Sequence, residues 1–395
     1  MGRLSGIFLF PAILTAVLFS GCGDNNNSSG SNQNSSSPGN FVLTAGADGN
    51  IQVFKQDSSG AVSIPNGGTA PMQFSAGGPV QALIGHTSGN FVYAATPAGI
   101  AAFRIDSSGS LTPLSGSPFP LAGANPTDMT VTKDGAQLLV VFQDSSLLAS
   151  YPIDSSSGGL GSAMTVSTGA RPVSLTLDSS GKFVYVTNLS AVSVSAFNAN
   201  GLTSIASSPF DVTQQASPTG GPTAIAAAGS FLYIFSAGEI LGYSVDASSG
   251  AITQLAEVRT SLPTDPHIPD FLNVMENLPH GMVADPQGQF LVTNSSAPST
   301  SPNFVYILDV TSNGLLAGAN NLSEPESSPV VLPLAIDHGG KFAYRFTYAD
   351  PNCLFTTSCT RALEPLAVGV NTLSRVGTPV TTGTSTSKVV ATSPF

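Results

Sequence analysis

The chain is poor in charge. Its 395 residues hold 12 Lys+Arg and 23 Asp+Glu, so charged side chains make up 9%, far below the roughly 25% of an average soluble domain. The few cations are scattered and the formal net charge is −11. Gripping phosphate needs clustered Lys and Arg, so nucleic acid is excluded as a partner class, and anionic membrane surfaces are disfavoured for the same reason. Tryptophan is absent, and there are only 3 cysteines and 4 histidines. No metal-ligand spacing stands out, and His86 and His338 sit singly in turns, which reads as surface. There is no Gly-x-Ser-x-Gly elbow and no phosphate-binding glycine loop. No stretch after residue 39 has helical periodicity.

What is abundant is turn chemistry: 41 Gly and 29 Pro beside 41% hydrophobic residues. That mixture suits many short strands joined by tight turns and suits long helices badly.

The first 21 residues read as an export signal. Arg3 gives a positive start, and Ile7 to Phe19 is an apolar run too short to span a bilayer. The run ends in Leu18-Phe19-Ser20-Gly21-Cys22, which resembles a bacterial lipobox with lipid attached at Cys22. Residues 22–39 are rich in Ser, Asn and Gly and read as a disordered tether. By resemblance to lipoprotein sorting signals, Gly23 after the cysteine permits the outer membrane, facing periplasm or cell surface. The remaining cysteines, Cys353 and Cys359, suit a small loop-closing disulfide in an oxidising compartment.

Residues 40–395 repeat. A β-branched and aromatic phrase recurs at 41, 91, 137, 183, 231, 290 and 342, as in Phe91-Val92-Tyr93 and Phe183-Val184-Tyr185, with spacings of 50, 46, 46, 48, 59 and 52. Periods of this size mean a repeat architecture. Each phrase is preceded by a strand opening with Pro79, Pro126, Pro172, Pro222, Pro279 or Pro333. Two further strands follow it, around turns such as Asp106-Ser107-Ser108-Gly109. The unit is therefore four antiparallel strands, a to d. Seven such units predict an all-β, seven-bladed β-propeller. The segment Lys388 to Thr392 reads as a strand a that completes the N-terminal blade and closes the ring.

The phrases Asp178-Ser179-Ser180-Gly181 and Lys182-Phe183-Val184-Tyr185-Val186-Thr187-Asn188 resemble the repeat of seven-bladed propeller lactonases, the family of 6-phosphogluconolactonases and muconate-lactone cyclase. The resemblance implies hydrolysis of a lactone without a cofactor. It is specific for fold and weaker for chemistry. A lactone-opening hydrolase and a non-catalytic propeller binding a glycan, peptide or envelope protein both remain open, in either case as a monomer.

The candidate site lies where the repeats are interrupted. Residues 257–280 hold five of the 35 charged residues (12 + 23) and two of the 4 histidines. Here stand Glu257, Arg259, Asp265, His267, Asp270, Glu276 and His280. His280 directly follows Pro279, where the other repeats place Val80, Thr127, Val173, Thr223 and Leu334, and it alone of these titrates near neutrality. The resembling family often carries His after Pro here, within a Pro-Arg-His or Pro-His phrase. Leu278-Pro279-His280-Gly281 keeps the His and lacks the Arg. A lactonase would use His280 with Asp270 or Glu276 to activate water. Arg259, His267, Arg345 or Arg361 would hold the oxyanion or the substrate. A second insertion, about Thr347 to Glu364, carries Arg361 and both later cysteines and reads as a loop on the same rim.

Overall fold

A computed structural model describes residues 40–212, 221–236, 239–261, 281–295, 304–323, 334–337, 339–348, 361–383 and 387–392. They form seven antiparallel sheets. Blade 1 joins β1 (Phe41–Gly46), β2 (Asn50–Gln56), β3 (Val62–Ser63) and β4 (Met72–Ser75) to a strand from the other end of the chain. Blade 2 is β5 (Ala82–Gly85), β6 (Phe91–Thr96), β7 (Gly99–Ile105) and β8 (Leu111–Pro113). Blade 3 is β9 (Pro126–Val131), β10 (Gln137–Phe142), β11 (Leu147–Pro152) and β12 (Met164–Ser167). Blade 4 is β13 (Pro172–Leu177), β14 (Phe183–Asn188), β15 (Ser193–Asn198) and β16 (Phe210–Asp211). Blade 5 is β17 (Pro222–Ala228), β18 (Phe231–Ser236), β19 (Glu239–Val245) and β20 (Ile252–Ser261). Blade 6 is β21 (Met282–Ala284), β22 (Phe290–Ser295), β23 (Phe304–Val310) and β24 (Leu316–Ser323). Blade 7 is β25 (Leu334–Ile336), β26 (Phe342–Tyr348), β27 (Arg361–Gly369), β28 (Thr372–Arg375) and β29 (Val380–Gly383). The last strand, β30 (Ser387–Thr392), pairs antiparallel with β1, setting Thr44 opposite Val390.

The innermost strands touch in ring order: β30, β5, β9, β13, β17, β21, β25 and back to β30. Pro126, Pro172 and Pro222 each open such a strand, where no ladder donor is needed. Strand b is buried along its whole length in β6 and β14. Each blade is covered on both faces by its neighbours, so the phrase is apolar continuously rather than alternately.

A recurring latch joins one blade to the next. Tyr93 donates its hydroxyl to the carbonyl of Gly158 at 2.9 Å, and Gly158 lies in the c–d turn of the following blade. Tyr185 reaches Gly250 in the same way at 2.7 Å, Tyr233 reaches Gly314 at 2.8 Å, and Tyr344 reaches Gly60 of blade 1 at 3.4 Å. Burial pushes the Tyr93, Tyr185, Tyr233 and Tyr344 phenols up, so they stay neutral donors. Gly158 has a φ of +75°, and a Cβ there would lie 2.4 Å from the Phe91 ring. The Phe and Tyr of one strand thus seat on a turn that only glycine forms without strain. The turn is held by its own aspartate: Asp154 Oδ1 accepts from Ser156 N at 3.0 Å and Ser156 Oγ at 2.6 Å.

Two insertions begin differently from expectation. Glu257 and Arg259 belong to strand β20 rather than to a loop, and Arg361 and Glu364 belong to β27. His86 is not a surface residue. It is buried, with Nε2 2.8 Å from the Gly135 carbonyl and Nδ1 2.8 Å from Ser88 Oγ, and it bridges blades 2 and 3. It stands in the a–b turn where blades 4 and 6 have Asp178 and Asp285, so the position demands a hydrogen-bonding side chain.

Candidate functional site

Strand register defines the equivalent positions around the mouth of the ring. The middle of strand b pairs as Ala94 with Leu83, Val140 with Met129, Val186 with Leu175, Ile234 with Ile225, and Thr293 with Met282. Two residues upstream of these partners stand Gln81, Thr127, Val173, Thr223 and, in sequence, His280. In blades 3, 4 and 5 the ladder shifts at this position, so Thr127, Val173 and Thr223 are bulged. A bulge re-aims its side chain and is common beside functional sites. The blade 2 equivalent of His280 is therefore Gln81, not Val80, because β5 starts three residues after Pro79 rather than on it. In blade 7 Leu334 pairs with Arg345 and so matches Met282 of blade 6, two residues past this position.

Beside this mouth the structure gathers polar residues that the sequence reading passed over. Asn125 and Arg171 immediately precede Pro126 and Pro172 and hold φ values of 57° and 55°. A residue before proline prefers extended backbone, and Arg has no intrinsic liking for left-handed φ, so both positions are strained. Gln143, buried at the start of the b–c turn of blade 3, faces both: its backbone N donates to Asn125 O at 2.9 Å. Gln81 Nε2 lies 2.7 Å from Asn125 Oδ1, and Asn125 Nδ2 lies 3.2 Å from Gln143 Oε1. With its amide turned, the Gln143 oxygen accepts from Arg171 Nε at 3.2 Å and from Nη2 at 3.1 Å. Gln81, Asn125, Gln143 and Arg171 thus form one row across blades 2, 3 and 4. A polar residue before the proline in two successive repeats was the available signal.

Two carboxylates and an asparagine border the row. Asp128 Oδ2 accepts from Leu175 N at 3.0 Å and Ser174 Oγ at 3.3 Å, tying blade 3 to blade 4. Asp144 is exposed, with Oδ1 3.4 Å from Asn125 Nδ2. Asn188 is fully buried and donates to Ser193 Oγ at 3.1 Å and Ser195 Oγ at 3.0 Å. Its Oδ1 meets no partner among the described residues, and neither does Gln81 Oε1.

Of the residues expected from sequence, Arg345 is fully described. It is buried on β26 and donates through Nε to Glu364 Oε2 at 2.7 Å, with a second, shorter bond from Nη2. Arg375 Nε donates to the other Glu364 oxygen at 2.8 Å. Arg345 pairs with Glu364 and Ala343 with Leu366, so all four share one sheet face, and Ala343 and Leu366 pack on blade 6 through Phe290 and Val292. Arg345 is thus built into the interior between blades 6 and 7. Arg259 stands on β20 opposite Leu241, and Arg361 stands on β27 opposite Tyr348. Asp265, His267, Asp270, Glu276, His280, Cys22, Cys353 and Cys359 lie outside the described residues. Among the described residues no cluster of His, Cys, Asp or Glu could hold a metal.

Comparison with known proteins bears on this arrangement. Residues 48–173 match the family model described as lactonase, 7-bladed beta-propeller. That stretch carries the propeller-lactonase signature. It contains Gln81, Asn125, Gln143 and Arg171 and stops short of residues 257–280. Among solved structures, a candidate 6-phosphogluconolactonase from Bacteroides fragilis is similar at a TM-score of 0.67 and 16% identity, covering 91% of this chain and 99% of the other. Its counterpart from Bacteroides uniformis gives 0.66 and 16%, over 89% and 99%. A periplasmic gluconolactonase from Pseudomonas aeruginosa gives 0.61 and 17%, over 90% and 99%. At such identities the likeness is one of fold. No curated protein matches the chain by sequence.

Proposed function

We propose that this propeller is a lactonase that opens a sugar or organic-acid lactone outside the cytoplasm, tethered by lipid on Cys22. The observation that carries the reading is the propeller-lactonase match over residues 48–173 on a complete ring of seven blades. The location rests on the apolar run to Phe19 and the cysteine after it. Few cations and a net charge of −11 argue against a phosphorylated substrate.

The chemistry asks little of the protein, because a lactone is already a reactive ester. His280, oriented by Asp270 or Glu276, takes a proton as water oxygen bonds to the lactone carbonyl carbon. Arg259, His267 or Arg361 stabilises the oxyanion. Collapse breaks the ring C–O bond, the proton passes to the departing ring oxygen, and a hydroxy acid leaves. Arg345 is not among these groups here, since Glu364 already engages it.

The test is pH-stat hydrolysis of a panel of sugar lactones by residues 40–395. Wild type should exceed the spontaneous rate, and His280→Ala should lower it by about 10²–10⁴-fold. An undiminished rate in His280→Ala rejects the site. No hydrolysis of any lactone, with specific capture of an envelope glycan or protein, favours the scaffold reading. Lipid at Cys22 is checked by radiolabelled palmitate, which Cys22→Ser should abolish.

A further inference from the structure

We propose that Asn200–Gly201, on the rim opposite the mouth, is a self-modification site: the asparagine amide cyclises onto the glycine nitrogen, loses ammonia and reopens with water to aspartate and isoaspartate. The turn that carries it has no latch for the change to break. The proposal goes beyond lactone opening, because it involves neither the mouth nor a bound ligand.

The step needs only water. The Gly201 nitrogen gives up its proton to solvent base, and its lone pair attacks Asn200 Cγ. The new N–C bond closes a five-membered imide as the bond from Cγ to the side-chain nitrogen breaks, and ammonia departs with a proton taken from water. Water then opens either imide carbonyl. Opening at Cγ gives aspartate; opening at the main-chain carbonyl gives isoaspartate, with one extra backbone atom. Nothing is oxidised or reduced. Glycine favours the closure, because it has no Cβ to crowd the attacking nitrogen.

The chain has three Asn-Gly steps, at Asn66, Asn200 and Asn313, and all three asparagines are exposed. The fold separates them. Gly314 N donates to Thr311 O at 2.9 Å, and Asn313 Oδ1 accepts from Thr311 Oγ1 at 2.6 Å, so both reacting groups are engaged. Tyr233 also holds the Gly314 carbonyl, and a Cβ on Gly314 would lie 2.5 Å from the Phe231 ring, so this turn opens only by breaking the latch. Asn66 has a φ of 60° and a ψ of 20°, which sets the Gly67 nitrogen nearly opposite Cβ. Gly201 N has no hydrogen-bond partner among the described residues, and nothing stands within 4 Å of a Cβ built there. The reason lies in blade 3. Its strand b has Gln137 and Leu139 where blade 2 has Phe91 and Tyr93, as the pairing of Val140 with Met129 and of Ala94 with Leu83 fixes. Neither a ring nor a phenol from blade 3 therefore seats on the turn after β15, and an added charge or backbone atom there meets solvent.

The test is to age the full chain in mildly alkaline buffer, digest it and map each Asn-Gly peptide by mass spectrometry, with isoaspartate counted by enzymatic carboxyl methylation. Asn200 should convert about tenfold or more faster than Asn313, whose glycine nitrogen must first leave its hydrogen bond. It should also outpace Asn66. In urea the three steps should convert at similar rates, because the fold sets the ranking. Asn200→Gln should remove the leading charge variant, since the longer side chain would have to close a six-membered ring. Aged and fresh protein should melt together. An Asn200 that stays intact in the folded chain, a native rate at Asn66 or Asn313 that matches it, or the same ranking in urea overturns the proposal. A melting temperature that falls in step with Asn200 conversion overturns the tolerance of the turn. Neither result touches the lactonase reading, which the His280→Ala assay tests separately.

Discussion

At the scale of single residues, Arg345 shows how burial redirects a functional expectation. An arginine beside an inserted loop invites a role in gripping substrate, yet its guanidinium is held by Glu364 in the interior between two blades. Desolvating two charges is tolerable only while they stay paired. Glu364 serves two arginines at once, since Arg375 takes its second oxygen. Glu364→Gln should therefore leave a buried cation short of its counter-charge and cost about 3–5 kcal/mol. Urea unfolding measures the loss. A midpoint equal to wild type would show that Arg345 is not held by charge in the interior and would return it to the site. The pairing was not legible beforehand, because it depends on β26 and β27 flanking a long insertion. Only their register sets position 345 against 364.

At the scale of elements, the repeat phrase was legible because it serves one job in blades 2, 4, 5 and 7. Phe and Tyr on strand b must meet the glycine turn of the next blade, and Asp-Ser-Ser-Gly is the chemistry of that turn. The mouth was not legible. A proline opens three inner strands, β9, β13 and β17, but β5 begins three residues after Pro79, so Gln81 could not be aligned with His280 without its ladder. The turns carry a pH signature. The Ser156 hydroxyl, then the Ser157 backbone N–H, pull the Asp154 carboxyl down to about 2, and a serine hydroxyl likewise lowers Asp57 and Asp246. A native value below the unfolded one stabilises the fold at neutral pH. That contribution is whole above about pH 4 and is lost as pH falls through the native values. The melting temperature should thus drop between pH 4 and pH 2. Asp154→Asn should melt lower than wild type at pH 6, with the gap narrowing towards pH 2. Parallel melting curves for the two proteins across that range would refute the turn carboxylate as the source.

At the scale of the whole molecule, stability depends on a circle of inner strands that share no covalent order with their neighbours at one joint. Around the ring, a strand a and its strand b are ordinarily consecutive in the chain, but β30 and β1 come from opposite ends. The joint is reinforced beyond its ladder. Phe342 and Tyr344 of blade 7 seat on Gly60 of blade 1, and Gln52 Nε2 donates to Thr382 O at 2.7 Å. Both of those contacts involve residues before β30, so blades 1 and 7 would still touch if that strand were missing. What its loss would expose is the inner edge of β1, a buried apolar strand with unpaired backbone groups. It would also remove the contacts of β30 with β5 and β25, which close the inner circle between blades 7 and 2 among the described residues. A chain ending at Thr386 should consequently lose cooperative melting and elute as aggregates in size-exclusion chromatography. If instead it stays monomeric and melts with wild type, the neighbour contacts between blades suffice, and the circle contributes geometry rather than stability.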